Sequence, residues 1–463
     1  MKRWAFVLLL TAALGFSAYR AAEGTTLTYQ GPLPPPTSGY GSWGPHPISA
    51  PMTFTLTAAG YTNTVALYPP ADQTSPAPTL FFAPGWNVPC EGYETLLQFI
   101  ASQGYVAVCD DYHEDNRAIG EQLVAAFVEA ADRYPNRIDT TRIGLLGHSA
   151  GAGLLPSTTY RLVRGEGWGG SGAFIFSSAP WIDFDITDAM IADFPTEVKM
   201  IIQTYEDDQS TDLRTYIDPF ESLPIPDDEK DFLTLRTTMV DGYTYAAVHS
   251  TIGTGNGYGH LDALDYEGVF RLLAALADYT FTGSEAGKTV ALGNGVAAQI
   301  EMAGLRDLIS TDDPRPIPGA TYDYPCDIDD NPRREHCDDY DDELPAPILV
   351  APVKHQVLIE EVSPRFVWEP SPTAEDYYLQ VRPMLPNGEP DWTVSYGENL
   401  TAAEAGCASG EATCVYTLTA SLPWGPYVWW GLPSNATHNG VWSRRGYFVL
   451  VARRLYLPLV TRH

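Results

Sequence analysis

Two hydrophobic periods divide the first two thirds of the chain. Residues 51–69 alternate apolar with polar positions (Met52, Phe54, Leu56, then Thr64, Ala66, Tyr68), the period-2 pattern of antiparallel strands. After them come short apolar runs at 79–83, 106–109, 143–146, 173–176, 198–203 and 243–248, which predict strands buried on both faces. Between the runs the period changes to 3.6: Tyr93, Leu96, Leu97 and Ile100 share one helical face, and Leu123, Phe127, Ala130, Ala131 and Tyr134 share another. A further apolar-faced helix is predicted over 266–279. Strands alternating with helices call for crossover connections, so the expected fold is α/β, a doubly wound and mostly parallel sheet edged by antiparallel strands.

The pattern breaks at 312–343, where acidic residues and prolines replace apolar periodicity and predict a linker. Beyond 345 the chain becomes strand-sized runs at 348–350, 356–359, 365–368, 377–381, 392–396, 413–419, 427–432 and 447–451 with turn residues between them, the signature of a β-sandwich. Residues 1–22 carry Lys2 and Arg3, an apolar run too short to span a bilayer, and then small residues, which read as a secretory signal. The expected organisation is therefore a signal at 1–22, an α/β unit at 23–308, an acidic linker at 309–344, an all-β sandwich at 345–452 and a tail at 453–463. No other segment is long and apolar enough to span a membrane.

Charge narrows the partners. With 58 acidic against 27 basic residues the chain carries a formal charge of −31, which opposes binding to nucleic acid or to anionic membranes, where clustered Lys and Arg are needed. Six cysteines in an exported chain permit disulfides. Neighbour pairing would join Cys90 to Cys109, Cys326 to Cys337 and Cys407 to Cys414, one of about 15 connectivities among which the sequence does not choose. No His/Cys grouping has zinc spacing. Carboxylates between Asp327 and Asp338 approach the spacing of a calcium loop, but Pro332 stands where a turn glycine belongs, so a solvated tether is the better reading and no cofactor or metal is expected.

The candidate chemistry centres on 142–151. The apolar run 143–146 leads directly into Gly147-His148-Ser149-Ala150-Gly151, a G-x-S-x-G nucleophile elbow in which flanking glycines let a serine stand on a sharp strand-to-helix turn. A serine nucleophile needs a base, and the base needs an acid to fix its tautomer. The strand at 199–203 runs into Glu206-Asp207-Asp208, which puts a carboxylate at the carboxyl edge of the sheet; Asp208 is preferred and Asp207 is the alternative. Two histidines compete as base. His260, after the glycine-rich stretch 253–259, is preferred over His249, which directly follows the strand expected at 243–248 and so should have less freedom to reach a serine on another loop. The oxyanion donors are expected at the amides of Ala150 and of Trp86, in the loop after 79–83, with Trp86 and Trp181 flanking the serine as flat apolar faces.

Taken together, Pro84-Gly85-Trp86, Gly147-His148-Ser149, Ala179-Pro180-Trp181, Glu206-Asp207-Asp208 and 64–69 resemble the bacterial cutinase and polyester-hydrolase branch of the α/β-hydrolases, over about residues 42–281. The resemblance implies carboxylic ester or polyester hydrolysis at Ser149, Asp208 and His260, oxyanion donation by Trp86 and Ala150, and an aromatic clamp from Trp86 and Trp181. The same fold also accommodates lipases, phospholipid-acyl hydrolases and peptidases, and a non-catalytic polymer-binding protein is the alternative outside enzymes. Residues 366–368, 377–381, 407–414, 427–430 and 442–443 resemble fibronectin type III-like domains of secreted bacterial enzymes, which implies an immunoglobulin-like module serving as spacer or as a docking surface for a cell or polymer.

Overall fold

The computed structural model describes residues 29–452 apart from 114, 256–257, 313, 315, 317–321, 341–346, 354–355, 360–362, 372–373, 387, 408–412, 436–439, 441 and 444. The expected signal at 1–22 and the tail at 453–463 lie outside the described residues.

Eight strands build most of the principal sheet: β1 (Met52–Ala58), β2 (Tyr61–Tyr68), β3 (Ala77–Ala83), β4 (Val106–Asp111), β5 (Ile138–His148), β6 (Ala173–Ser178), β7 (Lys199–Tyr205) and β8 (Lys230–Leu235). They stand in the order β1-β2-β4-β3-β5-β6-β7-β8, with Ile309–Thr311 as a ninth strand at the far edge. The two edges are antiparallel, while the pairings from β4 through β3, β5, β6 and β7 to β8 are all parallel. This mixed sheet with helices on both faces fits an α/β-hydrolase.

Strand alternation divides the core. In β3, Leu80 and Phe82 point to one side, into a cluster with Leu96, Leu97 and Ile100 of helix α1 (Glu94–Ser102) and Leu272, Leu273 and Leu276 of the helix Arg271–Thr282. Phe81 and Ala83 point to the other side, against Ile119, Leu123 and Phe127 of helix α2 (Ile119–Arg133). Both faces are covered, which is why the central strands read as unbroken apolar runs rather than as alternating ones.

One expectation fails and has consequences for the site. Residues 243–248 are not a strand of the parallel sheet: Tyr243–Tyr245 pairs antiparallel with Thr238–Val240 in a separate two-stranded hairpin, and the chain leaves strand geometry at Ala246. The last parallel strand is instead β8, whose Lys230 and Asp231 disguise it in the sequence. Both are buried, with the Lys230 ammonium donating to the Phe220 carbonyl at 2.7 Å and the Asp231 carboxylate accepting from Gln299 and Ser310.

The described parts of the segment expected as a linker lie against the principal sheet and the chain that follows β7. Ile309–Thr311 pairs with β8, and residues 322–340 lie on the segment following β7, tied to it by backbone bonds from Tyr324 N–H to the Ser210 carbonyl (2.8 Å) and from Asp323 N–H to the Gln209 carbonyl (3.1 Å). The C-terminal residues form sheets of three and five strands whose inner faces share one apolar cluster, including Phe366, Trp368, Tyr377, Val381, Trp429 and Phe448. The run at 392–396 is not among those strands; Glu398–Thr401 pairs at that edge instead. All three disulfides join sequence neighbours: Cys90–Cys109, Cys326–Cys337 and Cys407–Cys414.

Candidate active site

The site forms where β5 ends. His148 is the last residue of the strand and Ser149 the first of the short helix α3 (Ser149–Gly153). Ser149 takes a left-handed φ of 53°, a strained conformation for a residue with a side chain. Gly151 makes this turn feasible, because a Cβ there would stand 2.3 Å from the carbonyl oxygens of both Ala83 and Pro84. The helix can thus press against the loop that follows β3. The first amides of a helix lack intrahelical acceptors, and Ala150 N–H is one of them.

The imidazole on Ser149 belongs to His249. Its Nε2 lies 2.9 Å from Ser149 Oγ, and its Nδ1 lies 2.8 Å from Asp208 Oδ2. A carboxylate only accepts, so Nδ1 carries the proton and Nε2 presents a lone pair to the serine hydroxyl. Asp208 is buried and held in turn by the Ser210 N–H (2.7 Å) and, more weakly, by the Thr211 hydroxyl (3.4 Å). His260 is placed elsewhere: its Nε2 is 3.5 Å from Asp262 Oδ2. The expectation of His260 at the serine is therefore corrected. His249 lies on the segment that follows β8, the last parallel strand, beyond the hairpin. Asp207, the alternative acid, braces the loop instead: its N–H bonds the Ala247 carbonyl at 2.9 Å and its carboxylate accepts from Thr237 Oγ1 at 2.6 Å.

Sequence reasoning passed over a second set of supports. His148, between the elbow glycine and the serine, is buried and donates from Nε2 to the His249 carbonyl at 2.8 Å, while its Nδ1 accepts from the Tyr93 hydroxyl at 2.7 Å. Tyr93 oxygen in turn accepts from the Gly85 N–H at 2.9 Å. Burial, with His249 as a lesser cause, holds the His148 ring well below the usual imidazole range, so it stays neutral. Only glycine fits at position 85, since a Cβ there would lie 2.8 Å from His148 Nδ1 and 3.0 Å from Tyr93 Oη. This chain of hydrogen bonds links the loop after β3 to the loop carrying His249.

Trp86 lies in the turn closed by the Val88 N–H and the Gly85 carbonyl (3.1 Å), and its ring meets Trp181 edge-on with centroids 6.3 Å apart. Trp181 is fixed beside Ser149, because its N–H donates to the Ser149 carbonyl at 2.9 Å. Two residues on, buried Asp183 accepts from the Ser157 N–H at 2.8 Å and thereby ties the Trp181 loop to the helical segment after the elbow; burial pushes its carboxyl up to about 6. Trp86, Ala150 and Trp181 thus pack together beside Ser149.

No protein-family model matches the chain. Over 131 residues it resembles a named hydrolase. The relative is a bis(hydroxyethyl) terephthalate hydrolase of Streptomyces coelicolor, 28% identical across a stretch that covers 27% of this chain and 42% of the relative. The match spans less than half the length of that protein. Among solved structures, one from a study of two fungal esterases of Rhizomucor miehei aligns with 52% of this chain and 87% of its own at 13% identity and a TM-score of 0.37, a likeness too low to carry an argument.

Potential metal ligands come together once among the described residues, at Cys90, Cys109 and Asp111, but the two sulfurs there are bonded to each other. In the segment read for calcium spacing, Asp329 pairs with Arg334, Asp330 with Arg117, and the Asn331 amide donates to the Cys326 carbonyl.

Proposed function

We propose that this protein hydrolyses carboxylic esters through a Ser149–His249–Asp208 triad. The observation that carries the reading is the unbroken relay from Ser149 Oγ to His249 Nε2 and from His249 Nδ1 to Asp208. Ser149 Oγ attacks the ester carbonyl while Nε2 takes its proton; the tetrahedral oxyanion is met by the amides of Ala150 and Trp86. The imidazolium, stabilised by Asp208, then protonates the leaving alkoxide, and water activated by the same ring releases the acid. Similarity to a terephthalate-ester hydrolase and the apolar ring faces of Trp86 and Trp181 support an ester with a flat apolar part, polyesters included.

Three disulfides fit an oxidising, extracellular setting. The C-terminal sheets are proposed as a fibronectin type III-like spacer. On the outer side of its five-stranded sheet, Trp392, Trp430 and Trp442 form a row of edge-to-face rings backed by Arg382 and Arg445, a surface suited to docking on a cell or polymer. The test of the enzymatic reading is hydrolysis of 4-nitrophenyl acetate by the protein and by Ser149→Ala. Loss of turnover in the variant is expected, and equal rates in the two would end the proposal.

A further inference from the structure

We propose that residues 322–337, which lie outside the sheet and its covering helices, form the outer wall of the substrate site, and that Tyr324 on this strap selects esters bearing an aromatic group. The proposal deepens the reading of Ser149 as an ester-cleaving nucleophile and rests on it. The Tyr324 ring packs on Trp181, with centroids 5.1 Å apart and planes at 59°, while remaining 45% exposed. Trp181 also meets Trp86, so Trp86, Trp181 and Tyr324 form one row of three rings beside Ser149, with Trp181 in the middle and the strap supplying one end. Four residues further on, Ile328 packs against the small apolar cluster of Ala150, Trp181 and Ile182 beside the serine.

The strap is held in place on the site. Residues Thr211 and Tyr324 form a parallel bridge, so the strap is paired with the same 209–212 segment whose Ser210 N–H and Thr211 hydroxyl hold Asp208. Cys326 N–H donates to Asp212 Oδ2 at 3.0 Å, and the Cys326–Cys337 disulfide closes the loop. The loop is pinned at its far side by Arg333, buried against Asp218 (2.8 Å from Nη2 to Oδ1) and also paired with Asp188. A fixed anchor of this kind removes the ordering cost that a mobile loop would carry on binding. A half-exposed ring held at the end of an aromatic row offers surface to a ligand ring, and offset or edge-to-face ring pairs contribute beyond the area they bury.

The test separates this proposal from the reading of Ser149. On the Ser149→Ala background, binding of 4-nitrophenyl benzoate is followed by tryptophan fluorescence, with cyclohexyl acetate as the non-aromatic comparison. Adding Tyr324→Ala is expected to weaken benzoate binding by roughly three- to tenfold, the range of one lost ring pair, while Tyr324→Phe binds as Tyr324 does and the acetate is unaffected. With Ser149 present, Tyr324→Ala should raise KM for the benzoate and leave kcat within about twofold. Unchanged benzoate affinity in Tyr324→Ala, or equal weakening for both esters, overturns the role of the strap whatever the state of the triad. Benzoate binding that depends on Tyr324 upholds it, even if hydrolysis turns out not to need Ser149.

Discussion

His148 holds the backbone of His249. Its Nε2–H donates to the His249 carbonyl at 2.8 Å, so the residue just before Ser149 fixes the loop that brings the His249 imidazole to the Ser149 hydroxyl. Replacing His148 with Phe keeps a ring in the buried space but removes the donor. The expected result is a fall in kcat of roughly ten- to a hundredfold, the scale set by misplacing a catalytic group by about 1 Å, with KM little changed. Steady-state kinetics on an aryl ester check this; an unchanged kcat would mean that the loop is held without His148.

His148 also gives the fold a pH signature. Burial lowers its pKa in the folded state, so below an unfolded value of about 6.5 the unfolded chain binds the proton more readily, and this contribution to stability is lost as pH falls from there toward the folded value. Thermal unfolding of the wild type against His148→Phe should show the wild type losing ground between about pH 6.5 and 5. A constant difference across that window would contradict a neutral buried ring.

The two histidines weighed in the sequence should behave oppositely. His249→Ala is expected to cut kcat by roughly four to six orders of magnitude, as loss of a triad base does, and His260→Ala to stay within about twofold of wild type, since its ring faces Asp262. The reverse ranking would return the base to His260.

A buried carboxyl supplies a test in the opposite sense of pH. Asp110 is fully buried, accepts from the Asn63 amide at 3.1 Å, and is pushed well above the usual carboxylate range, chiefly by burial. Its folded pKa being raised, its contribution is fully present below an unfolded pKa of about 3.9 and is lost as pH rises through the folded value. Asp110→Asn, a neutral replacement at any pH, should therefore match the wild type near pH 3.5 and become the more stable of the two as pH rises, by up to about 1.4 kcal/mol per unit until the folded pKa is passed. Chemical denaturation at several pH values measures the gap, and a gap that stays flat would show Asp110 to be ionised without strain.

The Cys90–Cys109 bridge joins the start of the segment before α1 to β4 and closes a separation of 19 residues. Loop-closure entropy puts its contribution at about 3 kcal/mol. Cys90→Ala with Cys109→Ala should lower Tm by several degrees and weaken catalysis more than stability alone explains, because the loop it braces carries the Trp86 amide. Full activity at temperatures well below Tm would assign the bridge to stability alone.

Much of the proposed site is legible in the sequence because its motifs are local. The Gly147–Gly151 elbow, the carboxylate after β7 and the two tryptophans each follow a short motif at the carboxyl edge of a parallel strand. The proposed base, His249, is not legible for a physical reason: its place depends on which run is the last parallel strand. Buried Lys230 and Asp231 made β8 look like surface, while the aromatic hairpin strand Tyr243–Tyr245 looked like core. Tyr324 was hidden in an acidic, proline-rich stretch whose order comes from one disulfide and buried pairings such as Arg333 with Asp218, and long-range partners of that kind leave no periodic trace in a sequence.

The most direct measurement is active-site labelling with a serine-reactive phosphonate, followed by mass mapping of the modified peptide. A single adduct on Ser149, formed by the wild type and by His260→Ala but at a strongly reduced rate by His249→Ala, is the predicted result. An adduct on another residue, or labelling of Ser149 that proceeds equally well without His249, would contradict the account.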